Sequence, residues 1–191
     1  MFMPKKIAIV IGLAASLTIA AVATSAAERF DFGKPATQDE IAGWNIDVDP
    51  DGAGAPPGSG TVSRGQDIYA NKCASCHGDH GQGKPMDRLV GGQGTLASSK
   101  PIKTIGSYWP YASTVFDYIR RAMPFNAPAS LSNDEVYAVT AYLLYLNGIV
   151  GKDTKLDAQT LVQIKMPNRD GFIRPDPRPD TDSILCMQNC K

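Results

Sequence analysis

Two cysteines and a histidine stand close enough along the chain to share one chemical task. The segment Cys73-Ala74-Ser75-Cys76-His77 has the pattern C-x-x-C-H. In this pattern each thiol can add to one vinyl group of a haem, and the adjacent imidazole can ligate the iron. The motif therefore predicts one covalent haem c, held by Cys73 and Cys76, with His77 as the proximal ligand of the iron.

The same cysteines have three other interpretations: a local disulfide, a redox dithiol, or half of a zinc site. A zinc site needs four ligands, and the chain can add only His80, Cys186 and Cys190. A thioredoxin-like dithiol accompanies a βαβ unit, and no such unit is predicted here. Haem is therefore the favoured interpretation, and His80 is expected to be an exposed loop residue.

The beginning of the chain indicates the compartment. Lys5 and Lys6 precede an apolar stretch at residues 7–23, and small residues follow it before Glu28. This order is typical of a signal peptide, here residues 1–27, which is removed after export. An uncleaved membrane anchor is the alternative. We expect a periplasmic protein without stable membrane insertion. The equal counts of 19 basic and 19 acidic residues give no indication of nucleic-acid binding.

The second cysteine pair, Cys186 and Cys190, lies at the end of the chain. Only Lys191 follows Cys190 in the sequence, so a second haem is not expected. An oxidising compartment favours a small disulfide loop between these two cysteines. A free or reactive pair is the alternative.

Apolar residues at helical spacing predict the elements that position the motif. A first helix starts near Ser63 and runs to the motif, and a second ends at Pro124. A third begins with a capping box of Ser132 and Glu135 and ends at Gly148. The whole chain is thus predicted to have four segments: a signal peptide at 1–27, an extended arm at 28–60, a cytochrome domain at 61–150, and a Pro-rich tail at 151–191. We expect the arm to be pinned by Trp44 and Ile46, and the tail to lie over the core.

Few helices, no predicted strands and a motif at the end of the first helix resemble a class I cytochrome c. The expected fold class is therefore all-α, with long irregular N- and C-terminal extensions. In that family the first and last helices cross, with a glycine and an aromatic residue at the contact. Gly65 and Tyr69 are placed for this contact, and Tyr142 and Tyr145 can face them.

The class I resemblance also implies a methionine as the sixth ligand, between the last two helices. Met123 stands there, and His/Met ligation suits electron transfer because it raises the reduction potential. Met86 is too near the motif to reach the distal side. Pro85 is a candidate for the carbonyl that accepts the His77 ring proton. The alternatives for the sixth position are Met166, His80 and an open site.

Several longer stretches resemble one family more closely. They are residues 41–48, 87–92, 104–112, 116–124 and 165–172, and the most specific are YWPY at 108–111 and KMPNR at 165–169. Over roughly residues 38–191 the chain resembles the SoxD-type cytochrome c subunit of the sulfane dehydrogenase of the sulfur-oxidising (Sox) system. The YWPY segment is expected to be a wall of the haem pocket, with a partner contact as the alternative.

The resemblance implies partners and a role. The chain would pair with a molybdenum-cofactor subunit (SoxC-like) that oxidises sulfur held on a carrier protein. It would pass the electrons to a downstream periplasmic cytochrome and would not be catalytic on its own. The alternatives are a free periplasmic shuttle, a subunit of a sulfite or other dehydrogenase, and a haem peroxidase or sensor with an open sixth site.

Overall fold

The computed structural model describes residues 33–173, with six helices and two short strands among them. In chain order these are α1 (Gln38–Trp44), β1 (Ser59–Thr61), α2 (Val62–Lys72), α3 (Ala74–His77), α4 (Ala112–Ala122), α5 (Asn133–Leu146), β2 (Lys155–Asp157) and α6 (Ala158–Leu161). The predicted signal peptide and the pair Cys186 and Cys190 lie outside the described residues.

The chain divides into two units between Ile41 and Ala42. In the first unit, Thr37 begins α1 as its N-cap. The Glu40 backbone N–H donates to the Thr37 hydroxyl at 3.2 Å, and the Thr37 backbone N–H donates to the Glu40 carboxylate at 2.8 Å. This reciprocal pair satisfies two donors at the helix start.

In the second unit, α2 and α5 pack against each other through a glycine and two aromatic rings. A Cβ added to Gly65 would overlap the carbonyl oxygen of Ala138, so the two backbones approach directly. The ring of buried Tyr69 lies 5.4 Å from that of Tyr142. The contact expected of Gly65, Tyr69 and Tyr142 is confirmed. Tyr145 lies at its margin, with its ring 6.4 Å from that of Tyr142.

The start and end of α5 follow from local chemistry. The Glu135 backbone N–H donates to the Ser132 hydroxyl at 3.3 Å, and the Ser132 backbone N–H donates to the Glu135 carboxylate at 2.9 Å. The predicted capping box is therefore confirmed. Gly148 follows the helix with φ of +70°, a conformation in which glycine has no steric penalty.

The expectation of an all-α fold is not confirmed, because the described residues include a two-stranded antiparallel sheet. Strand β1 pairs with β2, with Gly60 opposite Leu156. A Cβ on Gly60 would overlap the backbone of Ala138, so β1 runs directly against α5. The partner strand brings Leu156 into the core with no exposed surface.

Of the two residues expected to pin the segment before β1, Ile46 makes a contact and Trp44 does not. Trp44 is 87% exposed, so the expectation that it pins this segment is wrong. Val48 is buried instead, and its N–H donates to the Asp117 carboxylate at 3.0 Å. The carbonyl of Ile46 accepts from the Arg120 guanidinium at 2.7 Å. Polar groups of α4 therefore hold the backbone of this segment.

Residues 155–166 do more than cover the core. Leu156, Leu161 and Met166 are all buried within it. These three residues stand five positions apart, which is neither a helical nor a strand period. Their contribution becomes visible only in three dimensions.

Candidate functional site

The cysteine motif occupies the one-turn helix α3, directly after α2. The Cys73 N–H donates to the Tyr69 carbonyl at 2.9 Å, and the His77 N–H donates to the Cys73 carbonyl at 3.0 Å. Cys73 and Cys76 are free thiols, the first half-buried and the second exposed. Because Tyr69 packs against α5, the helix contact fixes the direction in which the motif leaves the core.

The Cys73 thiol lacks the property expected of a reactive redox dithiol. Burial raises the pKa of the Cys73 thiol to about 11, with a further increase from Cys76 and an opposing effect of Lys72. A reactive redox dithiol needs a lowered thiol pKa, so the geometry disfavours that interpretation. Within residues 33–173, no group of three or more His, Cys, Asp or Glu side chains is arranged to hold a metal ion.

The imidazole of His77 is oriented by a backbone carbonyl. Its Nδ1 lies 2.8 Å from the carbonyl oxygen of Asp87, and the tautomer that makes this bond carries the proton on Nδ1. The Nε2 lone pair is then left for a metal, which is the usual arrangement of a metal-ligating histidine. The expectation that Pro85 supplies this carbonyl is wrong. The Met86 N–H donates to the Cys76 carbonyl at 2.9 Å and so brings Asp87 under the ring.

The loop after the motif is held to it largely by backbone hydrogen bonds. The Gly83 N–H donates to the His77 carbonyl at 2.8 Å, and the Leu89 N–H donates to the Gly81 carbonyl at 2.8 Å. The Tyr69 hydroxyl donates to the Gly78 carbonyl, also at 2.8 Å. His80 is exposed in this loop, as expected.

The methionines differ in their surroundings. Met123 is the C-cap of α4, half-buried beside the core. Met166 is 1% exposed and is part of the core, and Met86 is half-exposed. The structure thus brings Cys76 and His77 together in α3 with Cys73 as its N-cap, while Met123 stands at the end of another helix.

The two most specific segments of the sequence resemblance contact each other. The Asn168 side-chain amide donates to the Tyr108 carbonyl at 2.7 Å, and the Phe172 ring packs edge-on against the Tyr108 ring at 5.4 Å. The Arg169 guanidinium lies 4.3 Å from the centre of the Tyr111 ring, in cation–π geometry. The YWPY segment therefore has a structural partner in the KMPNR segment of the same chain.

Sequence reasoning missed the Asp87 carbonyl and the buried side chain of Asn147. A backbone carbonyl leaves no residue-type signal, so no pattern could have found Asp87. Asn147 directly precedes the Gly148 cap, and a polar residue there is ordinary for a helix end. Only its hydrogen bonds to Leu89 and Gly91, in the loop after the motif, distinguish Asn147.

Comparison with known proteins gives a family match and several relatives. Residues 60–143 match the family described as cytochrome c oxidase, cbb3-type, subunit III. The chain is 32% identical over 90 residues to a thiosulfate dehydrogenase of Stutzerimonas stutzeri, covering 46% of this chain and 28% of that protein. It is 28% identical over 102 residues to a thiosulfate dehydrogenase of Psychrobacter arcticus, covering 48% and 31%. The chain thus spans less than a third of the length of these curated relatives.

A solved structure matches over a larger share of the chain. The crystal structure of the sulfane dehydrogenase SoxCD from Paracoccus pantotrophus contains a chain that is 45% identical, with a TM-score of 0.74. The match covers 85% of this chain and 83% of that chain.

The helical fold, the C-x-x-C-H motif and these matches define a c-type cytochrome, whose cofactor is a c-type haem and whose role is electron transport. Identity and coverage in the last comparison specify the family further. The chain belongs to the SoxD-like cytochromes c, and the resemblance found in the sequence is confirmed. Within residues 33–173, no helix has both the length and the hydropathy needed to cross a bilayer.

Proposed function

We propose that this chain is the electron-transfer subunit of a molybdenum-cofactor sulfane dehydrogenase, with a SoxC-like subunit as its catalytic partner. The supporting observation is the extent of similarity to a chain of the SoxCD structure. That similarity covers 85% of the chain, whereas the general cytochrome family matches residues 60–143 alone. A shared cytochrome core does not account for similarity over so much of the chain.

The proposed haem site consists of Cys73 and Cys76 as covalent attachments, His77 as the proximal ligand and Met123 as the distal ligand. When bound, a haem supplies one-electron redox chemistry. The chain holds the His77 ring through the Asp87 carbonyl and presents Nε2. The thioether of Met123 would raise the reduction potential. No catalytic residue is assigned, because the chain carries electrons and does not itself transform a substrate.

The segments flanking the core support a docked subunit over a free shuttle. Their apolar residues divide into two groups. Val48 and Leu156 are buried in the chain's own core, whereas Trp44 is 87% and Ile173 is 77% exposed. Large exposed aromatic side chains are typical anchors of protein interfaces, and an exposed aliphatic side chain can add apolar area beside them. Trp44 and Ile173 are therefore the residues proposed to contact the molybdenum subunit.

The proposal includes export, a donor and an acceptor. The signal peptide of residues 1–27 is removed in the periplasm, where Cys186 and Cys190 form a disulfide. Electrons originate from sulfur on a carrier protein, through the partner subunit, and leave to a downstream periplasmic cytochrome. The intact mass of the purified protein tests two of these points. A mass beginning at Glu28, with the haem added and two hydrogen atoms missing, supports both cleavage and the disulfide, and intact residues 1–27 contradict export with cleavage.

The haem assignment is tested with a cysteine double variant and with two matched histidine variants. The double variant Cys73→Ser with Cys76→Ser should lose haem staining on a denaturing gel, because neither thioether forms. His77→Ala should lose the low-spin ferric spectrum, whereas His80→Ala, an exposed histidine three residues later, should keep it. An unchanged spectrum in His77→Ala would reject His77 as the proximal ligand.

The partner assignment is tested by purifying the tagged chain from its native periplasm and measuring haem and molybdenum together. Equal amounts of both, with haem reduced by the sulfur-loaded carrier protein, support the dehydrogenase subunit. Trp44→Ala and Ile173→Ala should lower the molybdenum recovered, and Tyr145→Ala, an exposed aromatic of α5, should not. Haem alone, on a monomer that no sulfur compound reduces, would identify a free shuttle.

Thiosulfate oxidation is the second candidate, because both curated relatives are thiosulfate dehydrogenases. This possibility predicts that thiosulfate alone reduces the haem of the purified complex, without a carrier protein. Reduction that requires the sulfur-loaded carrier would exclude this candidate.

A further inference from the structure

Asn147, at the C-terminal end of α5, is a buried polar residue that connects this helix to the loop after the haem motif. It is 9% exposed. Its side-chain amide donates to the Leu89 carbonyl at 3.2 Å and to the Leu143 carbonyl at 2.9 Å. Its side-chain carbonyl accepts from the Gly91 N–H at 3.1 Å. One side chain thus satisfies a donor and an acceptor of the loop at the same time.

The surroundings of Asn147 are shaped to hold its side chain. A Cβ added to Gly106 would overlap the Asn147 amide oxygen, so that glycine leaves the space which the amide fills. The Gln93 side-chain amide donates to the Asn147 backbone carbonyl at 3.2 Å. The Leu89 carbonyl also accepts from the Ile105 N–H at 3.3 Å. A buried network in which each member has a partner is rigid and costly to break.

The end of α5 does not need this side chain for its own capping. The backbone N–H of Asn147 donates to the Leu143 carbonyl at 3.2 Å. The Gly148 N–H donates to the Tyr145 carbonyl at 2.8 Å, and the Ile149 N–H donates to the Leu144 carbonyl at 2.9 Å. Because the backbone satisfies these terminal carbonyls, capping of α5 does not account for the two bonds that the Asn147 side chain makes to the loop.

These bonds hold the chain on the C-terminal side of Asp87, the residue whose carbonyl orients His77. Asp87, whose carbonyl oxygen lies 2.8 Å from the His77 Nδ1, stands between two anchored residues. Met86 on one side is bound to the Cys76 carbonyl, within the motif itself. Leu89 on the other side is bound to Asn147, on a different helix. Asn147 therefore limits how far the Asp87 carbonyl can move away from the ring.

We infer that Asn147 is a positioning residue for the proximal imidazole and thereby sets the reduction potential of the haem. The inference depends on the proposed ligation by His77. A hydrogen bond from Nδ1 to a carbonyl makes the imidazole a stronger donor to the iron, which favours the oxidised state and lowers the potential. Loss of the Asn147 amide loosens the Asp87 carbonyl, weakens this bond and raises the potential.

The test compares two asparagines on the same helix in the haem-loaded protein. Asn147→Leu removes the bonds to Leu89 and Gly91. Asn133→Leu, at the other end of α5, removes a bond from its amide to the Pro57 carbonyl at 3.3 Å. Both variants lose some stability. Only Asn147→Leu should raise the reduction potential. It should also speed solvent exchange of the His77 Nδ1 proton by about tenfold, which corresponds to the loss of roughly one to two net hydrogen bonds.

The outcomes separate this inference from the proposal on which it rests. NMR of the unaltered haem-loaded protein should show a hyperfine-shifted Nδ1 proton. Without that signal the ligation by His77 fails. With it, equal potentials and exchange rates in the Asn147→Leu and unaltered proteins would overturn the role of Asn147. If Asn147→Leu does not fold, Asn147→Ser answers the same question, because its shorter hydroxyl cannot reach both Leu89 and Gly91.

Discussion

The haem motif lies between two regions that are held together by different forces. On one side, α2 and α5 pack through buried surface, with Gly65 against the Ala138 backbone and the Tyr69 ring against Tyr142. On the other side, residues 78–94 are organised by backbone hydrogen bonds and glycine turns. The helix contact determines where the motif points, and the loop determines which tautomer His77 presents.

The difference indicates how each region should respond to substitution. Packed interiors have few voids, so a change of volume in the helix region is transmitted as lost stability. Loop hydrogen bonds contribute about 1 kcal/mol each in net terms, yet they fix the position of single atoms. Substitutions in the core should therefore change the free energy of unfolding, and those in the loop should change the properties of the haem.

The largest expected effect contrasts two methionines. Met166→Ala should lower the free energy of unfolding by about 3 kcal/mol, because it leaves a cavity in the core. Met123→Ala should cost less and remove the weak red absorption band that marks methionine–iron ligation in the ferric protein. Urea unfolding and a visible spectrum measure the two effects, with half-exposed Met86→Ala as the control for both. If Met166→Ala abolished the band and Met123→Ala did not, the assignments would be reversed.

A smaller effect is expected at the helix contact. Gly65→Ala places a Cβ against the Ala138 carbonyl and costs up to about 3 kcal/mol in overpacking. Alanine returns about 1 kcal/mol through its helix propensity, so the net loss is about 2 kcal/mol. Gly151→Ala is the control, since nothing lies within 4 Å of its added Cβ. Equal unfolding midpoints for the two variants would show that α2 and α5 can separate without cost.

Tyr69 contacts both regions: its ring packs against α5 and its hydroxyl bonds to the loop. Removal of the hydroxyl tests the link between the two regions. Tyr69→Phe keeps the ring but loses the hydrogen bond to the Gly78 carbonyl, at a cost of about 1 kcal/mol. Burial, aided by the nearby Tyr142, raises the pKa of Tyr69 to about 12. A raised pKa gives stability that is present below the ordinary tyrosine pKa and is lost as the pH rises toward 12.

The unfolding free energy of both proteins, measured from neutral pH to strongly alkaline pH, checks this prediction. The Tyr69→Phe protein should lose less stability in the alkaline range than the unaltered protein does. Tyr145→Phe, which alters a 40% exposed tyrosine on the facing helix, is the control. Parallel alkaline curves for the Tyr69→Phe and unaltered proteins would contradict the role assigned to the Tyr69 hydroxyl.

The same division between regions explains what the sequence could predict. The bounds of α2, α4 and α5 follow from local signals, such as the Ser132 capping box and the apolar spacing of Val115, Phe116 and Ile119. The pairing of β1 with β2 does not, because strands of three residues carry no readable period and depend on a partner distant in sequence.

The motif itself is visible in the sequence because thiols and an imidazole at fixed spacing have few uses. The atom that orients His77 is a backbone carbonyl, and its place is decided by loop hydrogen bonds rather than by the type of residue 87. This is why Pro85 was the wrong expectation. Met123 and the covalent attachments stay predictions until the haem-loaded variants are measured.

The smallest expected effect concerns an exposed contact beside the motif. Glu135 accepts hydrogen bonds within the capping box and pairs with Lys72, the last residue of α2, at 3.1 Å. The backbone N–H of Ser132, and to a lesser extent Lys72, holds the pKa of Glu135 below its usual range. A lowered pKa gives stability that is present above the ordinary glutamate pKa and is lost as the pH falls through the folded value.

Glu135→Gln retains the hydrogen bonds of the capping box but removes the charge. It should lower the free energy of unfolding at neutral pH by less than about 1 kcal/mol, because exposed ion pairs contribute little. The variant and the unaltered protein should become equally stable in acid, where Glu135 is protonated. Lys72→Met tests the pair alone, and urea unfolding at neutral and acid pH measures all three proteins. A constant difference at every pH would mean that Glu135 acts by its shape and not by its charge, since only a charge effect can disappear on protonation.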